Sequence, residues 1–256
     1  MHRVLTRVTR NNLTIENTKI NYKKIALIRH GESIWNQDSK FTGWTNIPLS
    51  NNGKIEAENI AWALIENKIY PNIVFSSVLD RSVETSNIIR NIFEKLNLCD
   101  MPIHTSWRLN EKHYGTLEGI PREYIRNLYG DKFTQMMRKS FHIKPPIIKN
   151  LHLNFKNLSE YSIYKNCYFN TIKNGESKEN VLDRLLPFFE NDILFTLSEN
   201  KLPLIVTHKH SARVLMKHLL KMDEEDFENY EFPDKTIVIL NFDDDNNFIY
   251  YDIIKF

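Results

Sequence analysis

Three short segments, each following an apolar run, hold residue types suited to phosphoryl transfer. They are Arg29-His30-Gly31-Glu32-Ser33 after Ile25–Ile28, Ser76-Ser77-Val78-Leu79-Asp80-Arg81 after Ile73–Phe75, and Thr207-His208-Lys209-His210-Ser211 after Val206. An imidazole nitrogen can attack phosphorus, and guanidinium groups grip the equatorial phosphate oxygens bidentately. A second imidazole can donate to the same phosphate. Such a site is expected to need no metal, because its cations are built in. Taken singly, each residue has a plainer reading: a hydrogen-bonded loop histidine, a surface ion pair for Arg29, a solvated helix start for Arg81. The combination points to one crevice, since each segment brings its residue to the same rim.

The elements that must position them follow from periodicity. The apolar runs at Ile25–Ile28, Ile73–Phe75 and Leu204–Thr207 read as buried strands, with Ile103–Thr105, Ile237–Leu240 and Ile249–Ile254 as further strands. Between them, Ser50 opens a helical pattern with Ile55, Ile60, Leu64 and Ile65 at inward spacing, and Val83, Ile89, Ile92, Phe93 and Leu96 mark another. Two shorter helices are expected near Arg122–Tyr129 and Lys132–Ser140, one from a Ser177 N-cap to about Leu197, and one over Ala212–Leu220. Strands alternating with helices predict an α/β fold: three layers, a mostly parallel sheet with helices on both faces, in one domain. In such folds ligands bind outside the carboxyl ends of the strands, where the three segments lie.

Composition bounds the alternatives. The chain has 256 residues, 41% hydrophobic and 26% charged, which fits a soluble globular domain and excludes a largely disordered or membrane protein. Lys+Arg number 34 against 32 Asp+Glu, too balanced for a strongly basic nucleic-acid binder. Cys99 and Cys167 form no disulfide framework and no CxxC metal set, as expected of reduced thiols in a cytoplasmic protein. Lysines number 22 and arginines 12, and there are only 7 glycines, so the positions of the scarce types are informative. Met1–Tyr22 is Asn-rich, with Arg3, Arg7 and Arg10 and no acid before Glu16; a disordered arm is expected, with a targeting segment as the alternative. Residues 23–256 form the catalytic domain, within which Lys144–Lys173 reads as a long loop or lid.

Leu27-Ile28-Arg29-His30-Gly31-Glu32-Ser33 with Trp35-Asn36 resembles the signature of the histidine phosphatase superfamily. A narrower similarity, to the cofactor-dependent phosphoglycerate mutases, rests on Phe41-Thr42-Gly43-Trp44, Pro48-Leu49-Ser50 and Trp107-Arg108-Leu109-Asn110-Glu111-Lys112-His113-Tyr114-Gly115. It continues through Tyr129-Gly130-Asp131 and Arg138-Lys139-Ser140-Phe141. The resemblance implies that His30 carries the phosphoryl group, bound by Arg29, Arg81 and His208 with Asn36, Thr42 and Gly43 adding donors. It implies Glu111 as general acid and base. It places Tyr114, Arg122, Arg138 and Lys139 on the substrate's second phosphate and carboxylate, with Lys112, Lys209 and His210 nearby. It further implies 2,3-bisphosphoglycerate as phosphoryl donor, phosphorylated metabolites as ligands, and a homodimer or homotetramer.

The chain departs from that pattern in places. Where members usually read His-Gly-Asn-Ser, it has His208-Lys209-His210-Ser211. If that glycine needs a positive φ, a lysine costs about 1–2 kcal/mol. If it serves close phosphate approach, the lysine crowds the site or adds a cation. If only backbone N–H groups at a helix start are used, any residue serves. Lys112 and Lys139 stand where arginines are usual and Arg122 where a lysine is, so two bidentate forks are lost. Three readings stay open: a mutase, favoured by Glu111; a phosphatase on the same fold, favoured by Lys209-His210 and the altered lid; and a catalytically weak phosphate-binding scaffold, opposed by the intact set His30, His208, Arg29, Arg81 and Glu111.

Overall fold

Alternate side chains of the strand Lys23–Arg29 (β2) feed two different cores: Ile25 and Leu27 enter one, Ala26 and Ile28 the other. That division is what a strand covered on both faces requires. The computed structural model describes residues 6–9, 23–147 and 175–256 and sets β2 in the middle of a seven-stranded sheet. The other strands are β1 (Thr6–Thr9), β3 (Ile73–Ser76), β4 (Ile103–Thr105), β5 (Pro203–Thr207), β6 (Thr236–Phe242) and β7 (Phe248–Lys255). Their order is β1-β7-β6-β2-β5-β3-β4. The block β2-β5-β3-β4 is parallel, whereas β6 pairs antiparallel with both β2 and β7, and β1 antiparallel with β7. The three-layer α/β expectation therefore holds, with the parallel pairing gathered in one half of a mixed sheet.

One face is covered by α2 (Asn51–Glu66) and α3 (Asp80–Lys95), whose Ile60, Leu64, Ile89 and Phe93 pack on Ala26, Ile28, Val74 and Val206. The other carries α5 (Lys178–Phe188), a π-helical turn (Phe189–Ile193), α6 (Leu194–Ser198) and α7 (Lys209–Leu220). Val181, Leu185, Phe189 and Leu215 from these pack on Ile25, Leu27, Phe75 and Val238. Pro187 lies inside α5 and offers no N–H, and the helical ladder loosens into the π turn just after it. A short α1 (Ile34–Gln37), α4 (Arg122–Lys139) and α8 (Glu224–Asn229) complete the α-helices among the described residues.

Most predicted boundaries agree. Ser50 and Ser177 do cap their helices, accepting from the backbone N–H groups of Gly53 and Asn180. The two helices expected on either side of residue 130 meet where Gly130 adopts φ 82°, a turn that breaks α4. Two inward assignments need correction. Ile55 is 54% exposed, because the buried stripe of α2 runs through Gly53, Ala57, Ile60, Ala61 and Leu64 instead. Leu96, the C-terminal cap of α3, is also exposed; small polar residues Ser82, Thr85 and Ser86 fill the buried face nearer the sheet. Within Met1–Tyr22, Thr6–Thr9 pairs as a strand on β7, and the rest of that segment lies outside the described residues. Nearly all of the Lys144–Lys173 loop, with Cys167, lies outside them too. Cys99 is half-buried, its thiol near the Pro71 carbonyl at 3.0 Å. No helix among the described residues is long and apolar enough to cross a membrane.

Candidate active site

β2, β5 and β3 are hydrogen-bonded neighbours running the same way, so their carboxyl ends open side by side. The ladder continues one residue past them, from His30 N–H to the Thr207 carbonyl at 2.9 Å and from Ser77 N–H to the Val206 carbonyl at 3.3 Å. This extension fixes His30 and His208 as adjacent strand-end residues, with ring centroids 4.7 Å apart. His30 is buried, and its Nδ1 lies 2.6 Å from the Gly31 carbonyl. A carbonyl only accepts, so Nδ1 carries the proton. Nε2 is then the lone-pair nitrogen, consistent with Arg81 Nε donating to it at 3.3 Å. Burial, with Arg81 and Arg29 beside it, holds the His30 imidazole well below its usual range, so it is neutral at pH 7. His208 is likewise buried and held neutral by burial and Arg81, with Nε2 2.7 Å from Ser77 Oγ.

Arg81 reaches the site from the first turn of α3 and is itself buried. Its terminal nitrogens donate to the Gly43 carbonyl at 2.7 Å and the Thr45 carbonyl at 3.1 Å, which aims the guanidinium at His30. The 42–45 loop that supplies these carbonyls is tethered in turn by Glu118. That carboxylate accepts from Trp44 N–H, Thr45 N–H and Tyr114 N–H at 2.9, 2.9 and 3.0 Å. Arg29 extends from the end of β2, donating to Asp234 at 3.0 Å and to Asn36 Oδ1 at 3.4 Å. Asn36 is held by the capping box of α1 with Ser33.

Glu111 follows a one-turn 3-10 helix at Trp107–Leu109. Its Oε1 accepts from Lys112 N–H at 2.7 Å. Burial raises its pKa and outweighs the lowering by that bond and by Arg81, Arg29 and Arg184. Arg184 of α5 holds this segment from behind, donating to the carbonyls of Arg108, Asn110 and Glu111 while paired with the buried Glu176. Neither Arg184, Glu176 nor Glu118 was identified from sequence. Their only signal there is that they are charged residues within otherwise apolar or turn-rich stretches.

These groups surround a cavity of about 200 Å3. Its lining contains His30, Arg29, Arg81, Glu111, Asn36, Thr42, Gly43, Tyr114, Arg122, Arg138, Lys209 and His210, together with Asp234, which the sequence did not flag. Five cationic side chains thus face two acids, Glu111 and Asp234. The Tyr114 hydroxyl and His210 Nε2 share a hydrogen bond of 2.8 Å; burial keeps the phenol protonated and the imidazole neutral. Three predicted residues do not line the cavity. His208 stands behind His30. Lys112 is fully buried, and its ammonium donates to the carbonyls of Met137 and Ile143, which fastens the end of α4. Burial brings the Lys112 pKa down to about 8. Lys139 is exposed on α4 and outside the cavity. The strain considered for Lys209 is absent: it begins α7 without a positive φ, and its side chain turns to Glu231 at 3.0 Å and Asp234 at 3.7 Å.

Comparisons with known proteins agree with this geometry. The family model for the histidine phosphatase superfamily (branch 1) matches residues 25–251. A 2,3-bisphosphoglycerate-dependent phosphoglycerate mutase of Buchnera aphidicola subsp. Cinara cedri is 38% identical over 230 residues, 90% of this chain and 97% of its own length. A protein of Bacteroides thetaiotaomicron named 2,3-bisphosphoglycerate-dependent phosphoglycerate mutase 2 is 34% identical over 88% of this chain and 89% of its own. Among solved structures, a mycobacterial glucosyl-3-phosphoglycerate phosphatase superposes with a TM-score of 0.66 at 19% identity, covering 92% of this chain and 99% of that one. An alpha-ribazole phosphatase from Shigella flexneri superposes with a TM-score of 0.63 at 18% identity, covering 88% and 94%. At these identities the two structures speak to the fold alone.

Proposed function

The chain belongs to the histidine phosphatase superfamily, and we propose that within it this protein is a phosphoglycerate mutase, interconverting 3- and 2-phosphoglycerate through a phosphohistidine at His30. The observation that carries the proposal is Glu111: a half-buried carboxylic acid, its pKa raised by desolvation, on the same cavity as the nucleophile and the cations Arg81, Arg122 and Arg138. The similarity to proteins named phosphoglycerate mutases supports the same reading. A cytoplasmic location goes with it.

The residues present also fit 2,3-bisphosphoglycerate. Thr42 Oγ1 lines the cavity, buried and without a hydrogen-bond partner among the described residues, which a phosphate oxygen would satisfy. Arg29 and Arg81 with Thr42 and Asn36 would hold one phosphate, and Arg122, Arg138 and Tyr114 the far phosphate and carboxylate. When bound, that ligand supplies the phosphoryl group that His30 carries.

The chain's own groups divide the work. His30 Nε2 forms the N–P bond with its lone pair, while Nδ1–H stays on the Gly31 carbonyl and orients the ring. Arg81 and Arg29 bind the equatorial oxygens, whose charge is spread in the transition state. Glu111 gives its proton to the departing sugar-acid oxygen as the P–O bond breaks. In the return step it takes the proton from the hydroxyl that receives the phosphoryl group. Burial of His30 and His208 keeps water from competing for the phosphohistidine.

The test is a coupled assay on purified protein with 2,3-bisphosphoglycerate and 3-phosphoglycerate, following 2-phosphoglycerate, free phosphate and the intact mass. Isomerisation far faster than phosphate release, with a phosphorylated mass that His30→Ala abolishes, is the expected result. Phosphate release without isomerisation would establish the second reading, a phosphatase. That reading is favoured by Lys209, whose charged side chain lines the cavity beside His210.

A further inference from the structure

One acid lines the cation-rich cavity without any part in the chemistry above. Asp234 Oδ1 accepts from the Arg29 guanidinium at 3.0 Å, and its Oδ2 lies 3.7 Å from Lys209 Nζ. The carboxylate is therefore shared between the two rim cations that an incoming anion would meet. It also lines a neighbouring cavity of about 300 Å3 that shares Arg29, Asn36 and Arg122 with the catalytic one.

The placement is built into a rigid turn. Pro233 restricts the backbone before Asp234, and Thr236 Oγ1 donates to the Pro233 carbonyl at 2.9 Å. Lys235, at φ 53°, takes the left-handed conformation that ordinarily favours glycine, and its ammonium pairs with Glu56 at 3.3 Å. Glu231 holds the other side of Lys209 at 3.0 Å. The turn is fixed, yet the Asp234 side chain is 59% exposed, so its ion pairs are weak ones that a stronger anion can replace.

We propose that Asp234 is a specificity-determining residue: a resident counter-anion for Arg29 and Lys209 that sets how much negative charge a ligand must bring to occupy the rim. A singly charged carboxylate offers these cations no more than Asp234 already does. A phosphate group, carrying about −1.5 to −2 at pH 7, outcompetes it. Lys209 and Asp234 act as a pair: the lysine adds a cation, and the aspartate keeps that cation from binding every passing anion. The inference rests on the reading that Arg29 holds a phosphate group, and it sharpens that site's selectivity.

The experiment is calorimetric titration of inorganic phosphate and of acetate into the full chain, as wild type, Asp234→Asn and Lys209→Gln. Removing one full charge a few ångströms from a bound dianion is expected to tighten phosphate about tenfold in Asp234→Asn. Acetate is expected to bind the wild type too weakly to measure and to bind that variant detectably. Lys209→Gln should weaken phosphate several-fold. Phosphate affinity unchanged or weaker in Asp234→Asn would overturn the proposal, because the carboxylate would then merely orient Arg29. Unchanged affinity in Lys209→Gln would overturn the shared-cation part. Both readouts are ground-state affinities, so a chain that fails the mutase assay leaves them interpretable. Asp234 is exposed and Lys209 half-buried, and circular dichroism of each variant checks that it folds.

Discussion

Arg184 and Glu176 meet in a two-point ion pair, 2.7 and 3.0 Å long, buried directly behind the segment that carries Glu111. The guanidinium spends its remaining donors on the carbonyls of Arg108, Asn110 and Glu111, while Glu176 Oε2 accepts from His113 N–H at 2.8 Å. Together they brace residues 108–113, Arg184 from α5 and Glu176 from just before its N-cap. The position of the acid thus depends on a pair that never touches the ligand.

Replacing one partner leaves the other charged and buried. Glu176→Gln is expected to cost about 3–5 kcal/mol of folding stability, the usual cost of breaking such a pair. Chemical denaturation with the midpoint and slope both measured checks this. A midpoint equal to that of the wild type would show that the brace is dispensable.

Gly43 carries the second structural dependence. At φ 54°, it would place a Cβ 1.8 Å from Glu118 Oε1, and its carbonyl accepts from Arg81. Gly43→Ala therefore incurs about 1–2 kcal/mol for the left-handed backbone. It also displaces the carboxylate that ties the 42–45 loop to Tyr114. The expected outcome is a fall in kcat/KM of at least about tenfold, traced to slower phosphorylation of His30, since Arg81 loses its aim. Rapid-quench measurement of the phosphorylation step separates this from a general loss of folded protein; an unaltered rate would refute it.

The strand-end histidines and arginines were legible in the sequence because each sits at a fixed offset from an apolar run, and the fold's parallel block does the rest. The α/β alternation was legible for the same reason. What escaped was whatever depends on partners far away in the chain. Glu118, Arg184 and Glu176 are ordinary charged residues until the fold brings them to the backbone of residues 44–45 and 108–113. Asp234 carries no motif, and only the turn before β6 sets it on Arg29, 205 residues earlier. Lys112 and Lys139 show the limit from the other side: cationic residues beside a motif look like ligands, yet one fastens α4 and the other faces solvent outside the cavity. Ile55 failed because a helix buries a stripe of small residues as readily as large ones.

Three of the four histidines buried among the described residues make the fold acid-sensitive. Burial is the largest cause depressing His30, His208 and His210 well below the ordinary imidazole value of 6.5. All three stay neutral in the folded chain, whereas the unfolded chain protonates them near 6.5. Their contribution to stability is thus full above about pH 6.5 and is lost as pH falls toward the depressed values. The three histidines alone would lower stability by up to about 4 kcal/mol per pH unit below 6, offset in part by Glu111 and His142, whose raised pKa values favour the protonated folded chain. Unfolding free energies between pH 7 and 5 measure the slope. His210→Asn should reduce it by about one proton, and an identical slope in that variant would contradict the assignment.

Glu111 has the opposite sign, and this separates its catalytic role from its structural cost. Its folded pKa is raised above the ordinary 4.5, chiefly by burial. It therefore favours the folded state below about pH 4.5 and loses that contribution as pH rises through the raised value. Near neutral pH, Glu111→Gln should then be as stable as the wild type or more so, with the difference vanishing toward pH 4. Activity should move the other way. Without a transferable proton, phosphoryl transfer to and from His30 is expected to slow by about 10²- to 10⁴-fold. In the wild type, charging of His30 should decline on the alkaline side as the acid ionises, and this limb should be missing in the variant. A variant destabilised at pH 7, yet retaining full turnover, would identify Glu111 as a structural residue and remove the observation on which the mutase reading rests.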